Sequence, residues 1–253
     1  MPDKNLFISL SNQHIFCAEK KAVENSLVLE KNFEVGYNQH SDQVFFDSFN
    51  QHGRNYNVVY CALKQPFFVL IPEVLYDVNN VADFLPGIDL TNHRIITDKI
   101  SRNNVMCIYA VDNTVYEKFT HNYPNIILKH YASILIDYTI KIGFIEQKTI
   151  AVIDFEDGLF YLCLANKTDL LLCNKFVFKS PEDILYFLLY SLEQFSLKPN
   201  SCQLHICGMV NENSGALILL KEYFENVLIE ESEISSSVVF KYQSAFFHQD
   251  ACV

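Results

Sequence analysis

Two acidic residues and a glycine stand close together near one turn in the second half of the sequence. Asp154 ends a β-branched, apolar run, and Asp157-Gly158 follows as a tight-turn signal. A turn glycine lets backbone N–H groups close on phosphate oxygens, and aspartates hold Mg²⁺ and its waters. Gly208 adds a glycine at the end of a later strand. These four residues are the candidate nucleotide-binding residues, and Asp154 would hold Mg²⁺ only if a nucleotide binds.

A purely structural interpretation of the same residues stays open. Asp157-Gly158 is also typical of an ordinary hairpin turn, and Gly208 of an ordinary exit from a strand. The chain has only seven glycines, which is few for a protein with phosphate loops. It contains no Walker A, Gly-x-Ser-x-Gly or Rossmann glycine pattern.

Cysteine and histidine stand close together at Cys202, His205 and Cys207. Side chains alternate along a strand, so Cys202 should point away from the other two. Two ligands on one face do not make a zinc site. The sequence therefore predicts a structural core here and no metal site. His93, His121 and His130 are scattered without metal-ligand or acid–base spacing.

Composition limits the possible partners and the compartment. The 253 residues are 50% hydrophobic and 14% aromatic with a net charge of −11, which favours packed cores and argues against nucleic-acid and membrane-surface binding. The apolar stretch Ile184–Leu192 is too short to cross a bilayer, so we expect no membrane insertion. Without a targeting signal at the N-terminus, the eight cysteines are typical of reduced thiols in a cytoplasmic protein.

The second half of the sequence predicts a β-β-β-α-β-α-β order. Ser180-Pro181-Glu182-Asp183 is a strong helix start, and the helix that follows is apolar on nearly all sides, so we expect it to be buried. The predicted strands are 149–154, 159–164, 170–178, 202–207 and 227–229, and the predicted helices are 180–195 and 214–226.

The first half repeats the opening of this order at an offset of 144 residues. Phe7-Ile8 falls on Ala151-Val152, Ile15-Phe16 on Leu159-Phe160, and Leu10 on Asp154. The repeat predicts two duplicated β-β-β-α-β-α lobes, residues 1–145 and 146–253, although chance agreement of pattern is the competing explanation. Within the first lobe we expect helices at 43–50, from Pro72-Glu73, at 113–123 and at 132–142, and strands at 67–71, 94–100, 105–111 and 126–129.

The second lobe ends in a tail that mixes polar and apolar residues. Acidic and serine-rich segments at 230–237 precede the apolar groups Val238-Val239-Phe240 and Ala245-Phe246-Phe247. The tail is either a terminal strand docked on the body or an element that binds a partner.

Three segments resemble a known family. They are Phe67–Tyr76, Lys179–Leu189 and Leu204–Gly208, and they are similar to domain-of-unknown-function family 3822 of Bacteroidetes bacteria. The resemblance covers roughly residues 5 to 232. It implies an actin-like ATPase (ribonuclease H-like) α/β fold, and it implies no established activity.

Nucleotide-binding members of that superfamily grip phosphate with two acid–glycine hairpins, one per lobe. In this chain the hairpin 9–14, Ser9-Leu10-Ser11-Asn12-Gln13-His14, has neither acid nor glycine, and one glycine, Gly208, stands where a pair usually contacts adenine. Phosphoryl transfer needs charge neutralisation from both sides, so the missing acid and glycine of this hairpin argue against an enzyme.

Two functions remain open from the sequence. The first is a non-catalytic scaffold, without a cofactor, that holds a protein or peptide partner between the lobes or along a sheet edge. The alternative is a protein that binds ATP with Mg²⁺ and hydrolyses it weakly or not at all. The sequence does not indicate an oligomeric state.

Overall fold

The structure is a computed structural model that describes residues 4–11, 14–21, 27–34, 56–100, 103–208 and 213–229. The helix expected at 43–50 and the tail from residue 230 lie outside these ranges. The chain divides into two compact units, Met1–Ser133 and Ile134–Val253. This division falls about a dozen residues before the expected lobe boundary, so the bounds 1–145 and 146–253 stay a prediction.

The first unit contains a five-stranded sheet in the order β3-β2-β1-β4-β8. β1 pairs antiparallel with β2, and β2 with β3, whereas β1–β4 and β4–β8 are parallel. The strands are β1 (Lys4–Leu10), β2 (His14–Lys21), β3 (Leu27–Glu34), β4 (Val59–Leu63) and β8 (Ile126–His130).

The second unit contains a sheet of the same order and directions, β11-β10-β9-β12-β13. The agreement of both sheets confirms the expected β-β-β opening of each lobe, and the second unit shows the full β-β-β-α-β-α-β order. The elements are β9 (Thr149–Glu156), β10 (Leu159–Asn166), β11 (Asp169–Val177), β12 (Cys202–Gly208) and β13 (Val227–Ile229), with helices α2 (Tyr131–Glu146), α3 (Pro181–Gln194) and α4 (Gly215–Tyr223).

The strand register of the two sheets corrects one of the residue equivalences that the offset of 144 predicts. Leu10 pairs with Leu63 and Asp154 with Cys207, so the parallel pairs keep the offset of 144. In the antiparallel hairpins, however, Leu10 pairs with Ile15 and Asp154 with Tyr161. Ile15 is therefore equivalent to Tyr161 and not to Leu159, because β9 and β10 pair for two further residues beyond Asp154 and Tyr161.

A three-stranded sheet of order β5-β7-β6 is inserted in the first unit. The helix expected from Pro72-Glu73 is wrong, since only two short 3-10 turns form, at Glu73–Leu75 and Val81–Phe84. Asp77 explains the difference, because its carboxylate accepts hydrogen bonds from Asn79 N (2.9 Å) and Asn80 Nδ2 (2.7 Å), and such local bonds compete with helix. The insertion comprises β5 (Phe68–Pro72), β6 (His93–Ile100), β7 (Val105–Asp112) and helix α1 (Asn113–Asn122).

Two expectations from the sequence concern the state of the cysteines and the length of the apolar helices. The seven cysteines within the described ranges are all buried free thiols. Burial raises the pKa of the Cys202 thiol to about 12, so it stays protonated at neutral pH. No helix in the described part of the chain is long and apolar enough to cross a membrane.

Helix α3 begins as expected but is not buried on all sides. Ser180 N donates to Asp183 Oδ2 over 3.1 Å, and Pro181 occupies the first turn. Ile184, Leu188 and Leu192 face the core of the second sheet. On the opposite side of the helix, Tyr186 and Tyr190 are exposed.

Helix α2 continues past the glycine expected to end it. Gly143 lies inside α2, and the helix ends before Gln147, which takes the left-handed conformation (φ +55°). A Cβ at Gly143 would collide with the carbonyl oxygen of Lys167, in the β10–β11 turn. The glycine is therefore required by close packing of the helix on this turn and not by a C-cap.

The Gly143→Ala variant should separate these two explanations. In an open helix, alanine would stabilise by about 1 kcal/mol relative to glycine. Here the collision with backbone should instead destabilise the protein, by roughly 1–3 kcal/mol. Urea unfolding monitored by circular dichroism measures the change.

Gly215→Ala is the matched control, because its Cβ would meet only Pro181 Cγ at 3.2 Å, on a side chain. We expect a change within about 0.5 kcal/mol for this variant. A stabilised Gly143→Ala protein would contradict the packing explanation.

Candidate functional site

Asp154 and Gly208 lie together at the carboxyl ends of two neighbouring parallel strands. Phe155 of β9 pairs with Gly208 of β12. Gly208 has φ +85°, and a Cβ there would lie 2.6 Å from Asp154 Oδ1 and would collide with the Phe155 backbone. In open α/β sheets, ligands bind beside such carboxyl ends. The structure thus brings together two of the four candidate residues.

The packing around Asp154 shows what this pair contributes structurally. Asp154 is fully buried, on the face of the sheet opposite the core that α3 and α4 cover. Its contact with Gly208 and the positive φ of that glycine require a residue without a side chain at position 208. A close-packed strand end therefore explains Gly208 without any ligand.

Asp157 and Gly158 form the turn between β9 and β10, as expected. Both residues are exposed, and Gly158 has φ +69° with open space around the position of a Cβ. Its carbonyl accepts a hydrogen bond from Phe178 N over 3.2 Å. This geometry is that of a hairpin turn, and nucleotide binding by Asp157 and Gly158 stays a prediction.

The corresponding turn of the first unit lacks acidic chemistry where it is described. Leu10 ends β1 in the position equivalent to Asp154, and it is buried beside Ser9. An aliphatic side chain cannot organise the waters of a magnesium ion. Asn12 and Gln13, from the same expected hairpin, lie outside the described residues.

The cysteine–histidine segment alternates as expected. Cys202 packs in the core with Leu204 and Ile206, so His205 and Cys207 point to the opposite face. His205 Nε2 lies 3.0 Å from Gln203 Nε2 and 3.8 Å from Glu146 Oε1. Within the described ranges, no group of three or more His, Cys, Asp and Glu residues is arranged to hold a metal.

A groove in the first unit lies between the open edges of two sheets. β6 is an edge strand of the three-stranded sheet, and β8 is an edge strand of the five-stranded sheet. The space between them is about 410 Å³, with helix α1 along one side. Its lining residues are Arg94, Ile95, Ile96 and Thr97 of β6, Tyr116 and Thr120 of α1, and Ile126 and Leu128 of β8.

The accessible wall of the groove is more polar than apolar, and its described lining residues carry one positive charge. Arg94 is the charged lining residue, and its guanidinium lies 4.2 Å from the centre of the Tyr116 ring. This cation–π contact fixes the guanidinium at the groove wall. Thr120 Oγ1 donates to the Tyr116 carbonyl over 2.9 Å, and Thr97 Oγ1 lies 3.4 Å from Tyr76 Oη.

A buried carboxylate joins the two strands at one end of the groove. Asp98 Oδ2 on β6 accepts from His130 N (2.7 Å) on β8 and from Ser133 Oγ (2.8 Å) on α2. Asp98 Oδ1 accepts from Tyr109 Oη (3.2 Å) on β7. One side chain thereby connects β6, β7, β8 and the start of α2.

His130 completes this cluster as a neutral residue. It is fully buried between the rings of Phe68 and Tyr109, with centroid distances of 4.7 Å and 4.9 Å. Ala132 N donates to its Nδ1 over 3.0 Å, so the ring proton lies on Nε2, which is 3.4 Å from the Gln65 carbonyl oxygen. Asp, His and Ser meet here, but Ser133 bonds Asp98 directly, which is not the geometry of a catalytic triad.

Burial raises the pKa of Asp98 to about 6. Hydrogen bonds from His130 N, Ser133 and Tyr109 favour the carboxylate and limit the rise. Burial also raises the pKa of Tyr109, so its hydroxyl stays a donor.

The sequence contains no functional signal for Arg94 or Asp98, and it places His130 among scattered histidines without metal-ligand or acid–base spacing. A signal for Asp98 exists in the strand pattern, because it alternates with Ile96 and Ile100 on one face of the strand. A carboxylate in such a position is buried only when it is hydrogen-bonded. Its donors could not be located, since they come from distant parts of the chain.

Solved structures resemble this fold at low sequence identity. A protein of unknown function with an actin-like ATPase fold from Bacteroides thetaiotaomicron VPI-5482 has a TM-score of 0.78 and 19% identity, covering 90% of this chain and 91% of its own. A chain of the PilM-PilN type IV pilus biogenesis complex has a TM-score of 0.64 and 11% sequence identity, and the match covers 91% of this chain and 89% of that one. A third structure is the cytoplasmic domain of EpsL, an inner membrane component of the Vibrio cholerae type II secretion system. Its TM-score is 0.52 and its sequence identity 8%, and the match covers 98% of this chain and 94% of that one.

These likenesses confirm the expected actin-like ATPase fold. Among curated proteins, no sequence matches this chain. The expected origin in Bacteroidetes and the duplication of an ancestral lobe stay predictions. The sequence model of one family, described as protein of unknown function (DUF3822), matches residues 2–227. The chain, of 253 residues, therefore belongs to the DUF3822 family, as the resemblance of its segments predicts.

Proposed function

We propose that this protein is a non-catalytic, cytoplasmic interaction protein that holds an extended peptide segment of a partner in the groove between β6 and β8. The observation that supports this most directly is the groove itself, which two open strand edges line. An edge strand presents backbone N–H and C=O groups that a peptide can pair with as an added strand.

The lining side chains indicate the chemistry of such a peptide. Ile96, Ile126 and Leu128 offer apolar contacts from both walls, and side chains of an extended peptide alternate between two faces. Arg94 offers a charge-assisted contact to a carboxylate. We therefore propose a peptide with alternating apolar residues and an acidic residue near Arg94.

Asp98 serves this proposal as a positioning residue. Its carboxylate bonds connect β6 to the backbone of His130, so they hold the two walls at a fixed separation at one end. Preorganised walls reduce the ordering cost of binding. PilM, a protein of similar fold, is named in its structure as part of a complex with PilN, which supports a partner-binding role for the fold.

ATP binding with Mg²⁺ is the second candidate function. It rests on the placement of Asp154 and Gly208 at the carboxyl ends of β9 and β12. The burial of Asp154 and the aliphatic Leu10 in the equivalent position weaken it relative to peptide binding.

The Thr120→Arg variant should occupy part of the groove and weaken peptide binding. Phage-displayed random dodecapeptides selected on the wild-type protein should be enriched in acidic, alternating apolar sequences. Synthetic versions of these peptides should lose at least about tenfold in affinity for Thr120→Arg by calorimetry, because the added side chain occupies the space between the strands.

Thr114→Arg provides a matched control, since it makes the same change at an exposed position of α1 that does not line the groove. It should bind the peptides like wild type. Equal affinity of the selected peptides for Thr120→Arg would refute the groove as the binding site.

Asp98 should make stability depend on pH in a defined direction. Its pKa is about 6 in the folded protein against 3.8 for the ordinary group, so the folded state binds the proton more tightly. This stabilisation is complete below the lower pKa and disappears as pH rises through the higher one. Relative to Asp98→Asn, the wild-type free energy of unfolding should fall by about 2 kcal/mol from roughly pH 4.5 to pH 7. Urea titrations across that range measure the difference.

Asp77→Asn is a control of opposite sign. Hydrogen bonds from Asn79 N and from the Asn80 side chain lower the pKa of Asp77, so its relative contribution should grow with pH. A pH-independent difference between wild type and Asp98→Asn would show that Asp98 does not titrate as its burial requires.

Mg-ATP titration tests the second candidate. A ligand that binds only the folded state stabilises it by roughly 2.7 kcal/mol at a hundredfold excess over its dissociation constant, so a bound nucleotide should raise the melting temperature. The shift should disappear in Asp154→Asn, which keeps the size of the side chain. The absence of a shift in wild type at millimolar Mg-ATP would eliminate this candidate.

A further inference from the structure

Two tyrosine rings form an exposed platform on the outer side of α3. Tyr186 and Tyr190 are 61% and 50% exposed, one helical turn apart. Their rings are stacked, with a centroid distance of 5.9 Å and an interplanar angle of 17°. Large exposed aromatic pairs are costly in water and are enriched at binding surfaces.

Aromatic packing beneath the platform holds it in place. Tyr186 makes an edge contact with Phe187 at 5.5 Å, and Phe187 stacks on Phe176 of β11 at 4.5 Å. Phe176 in turn packs against Phe160 of β10 at 5.5 Å. The platform is therefore anchored to the sheet, and tyrosine loses little side-chain entropy on binding.

Charge on α3 indicates what the platform can bind. Glu182 precedes Tyr186 by one turn, and Glu193 follows Tyr190 by three residues, both on the exposed side of the helix. The faces of the tyrosine rings carry negative quadrupole potential. No Lys or Arg occurs in α3, so a cation above the rings would meet only attractive side chains of this helix.

We infer that this platform, Glu182, Tyr186, Tyr190 and Glu193, binds an arginine-containing basic segment of another protein. A planar guanidinium can stack on the rings and reach the flanking carboxylates. A second copy of this chain would place the same glutamates against each other, and anionic lipid or nucleic acid would be repelled by the net charge of −11. The inference is independent of the groove between β6 and β8.

A labelled form of the whole chain tests the platform with a defined probe. The protein is produced with 3-fluorotyrosine, and the resonances of residues 186 and 190 are assigned with Tyr186→Phe and Tyr190→Phe. A peptide with three arginines alternating with glycines should shift both resonances saturably. Two control peptides have lysine or glutamate in place of the three arginines. The lysine peptide should bind more weakly, the glutamate peptide should give no shift, and added salt should weaken the binding of the arginine peptide.

Variants divide the contributions of ring and charge. Calorimetric affinity for the arginine peptide should fall roughly tenfold in Tyr186→Leu/Tyr190→Leu, and it should be retained in the two Phe variants, which keep the rings. Glu182→Gln/Glu193→Gln should weaken binding and its salt dependence. Tyr223→Leu, at another exposed aromatic on α4, should bind as wild type, and so should Thr120→Arg in the groove.

Three results would overturn the inference. The first is no saturable shift at millimolar arginine peptide, and the second is an equal response to the glutamate peptide. The third is self-association in sedimentation that disappears in Tyr186→Leu/Tyr190→Leu, because the occupant would then be a second copy of the chain.

Discussion

Parallel pairing of two central strands is the constraint on which each unit depends. β1 with β4, and β9 with β12, keep the same register and the same strand order around them. Parallel neighbours require a connection that crosses from one end of the sheet to the other, and in both units the chain first adds two antiparallel strands to the same sheet before it returns. Asp154 and Gly208 lie at the carboxyl ends of the β9–β12 pair, and the groove lies in the connection between the parallel strands β4 and β8.

The two units use this constraint differently. In the second unit, a short connection through α4 follows β12, and the strand end is closed by Gly208 against Asp154. In the first unit, the connection after β4 contains a whole three-stranded sheet, whose edge strand β6 lies beside β8. The Asp98 cluster of the first unit therefore lies where the insertion meets β8, whereas the sequence motifs pointed to the turns.

Strand positions could be predicted because their patterns are local, as the Asp157-Gly158 turn and the Ser180-Pro181 helix start show. The role of Gly143 could not be predicted, because the glycine is required by the carbonyl of Lys167, twenty-four residues away (143 to 167), and not by the helix that contains it. The helix predicted after Pro72 is wrong because the Asp77 side chain accepts local hydrogen bonds that compete with the backbone bonds of a helix. Asp98 and its donors are separated by up to 35 residues, so their cluster exists only in three dimensions.

The carboxylate of Asp98 also imposes an order on the assembly of the first unit. Its strongest donors, His130 N and Ser133 Oγ, come 32 and 35 residues later in the chain. Without those residues, the three-stranded sheet supplies one donor to the carboxylate, Tyr109 Oη on Oδ1, and Oδ2 has to bind water instead. The polar environment of Asp98 is therefore complete only when β8 and the first turn of α2 pack beside β6.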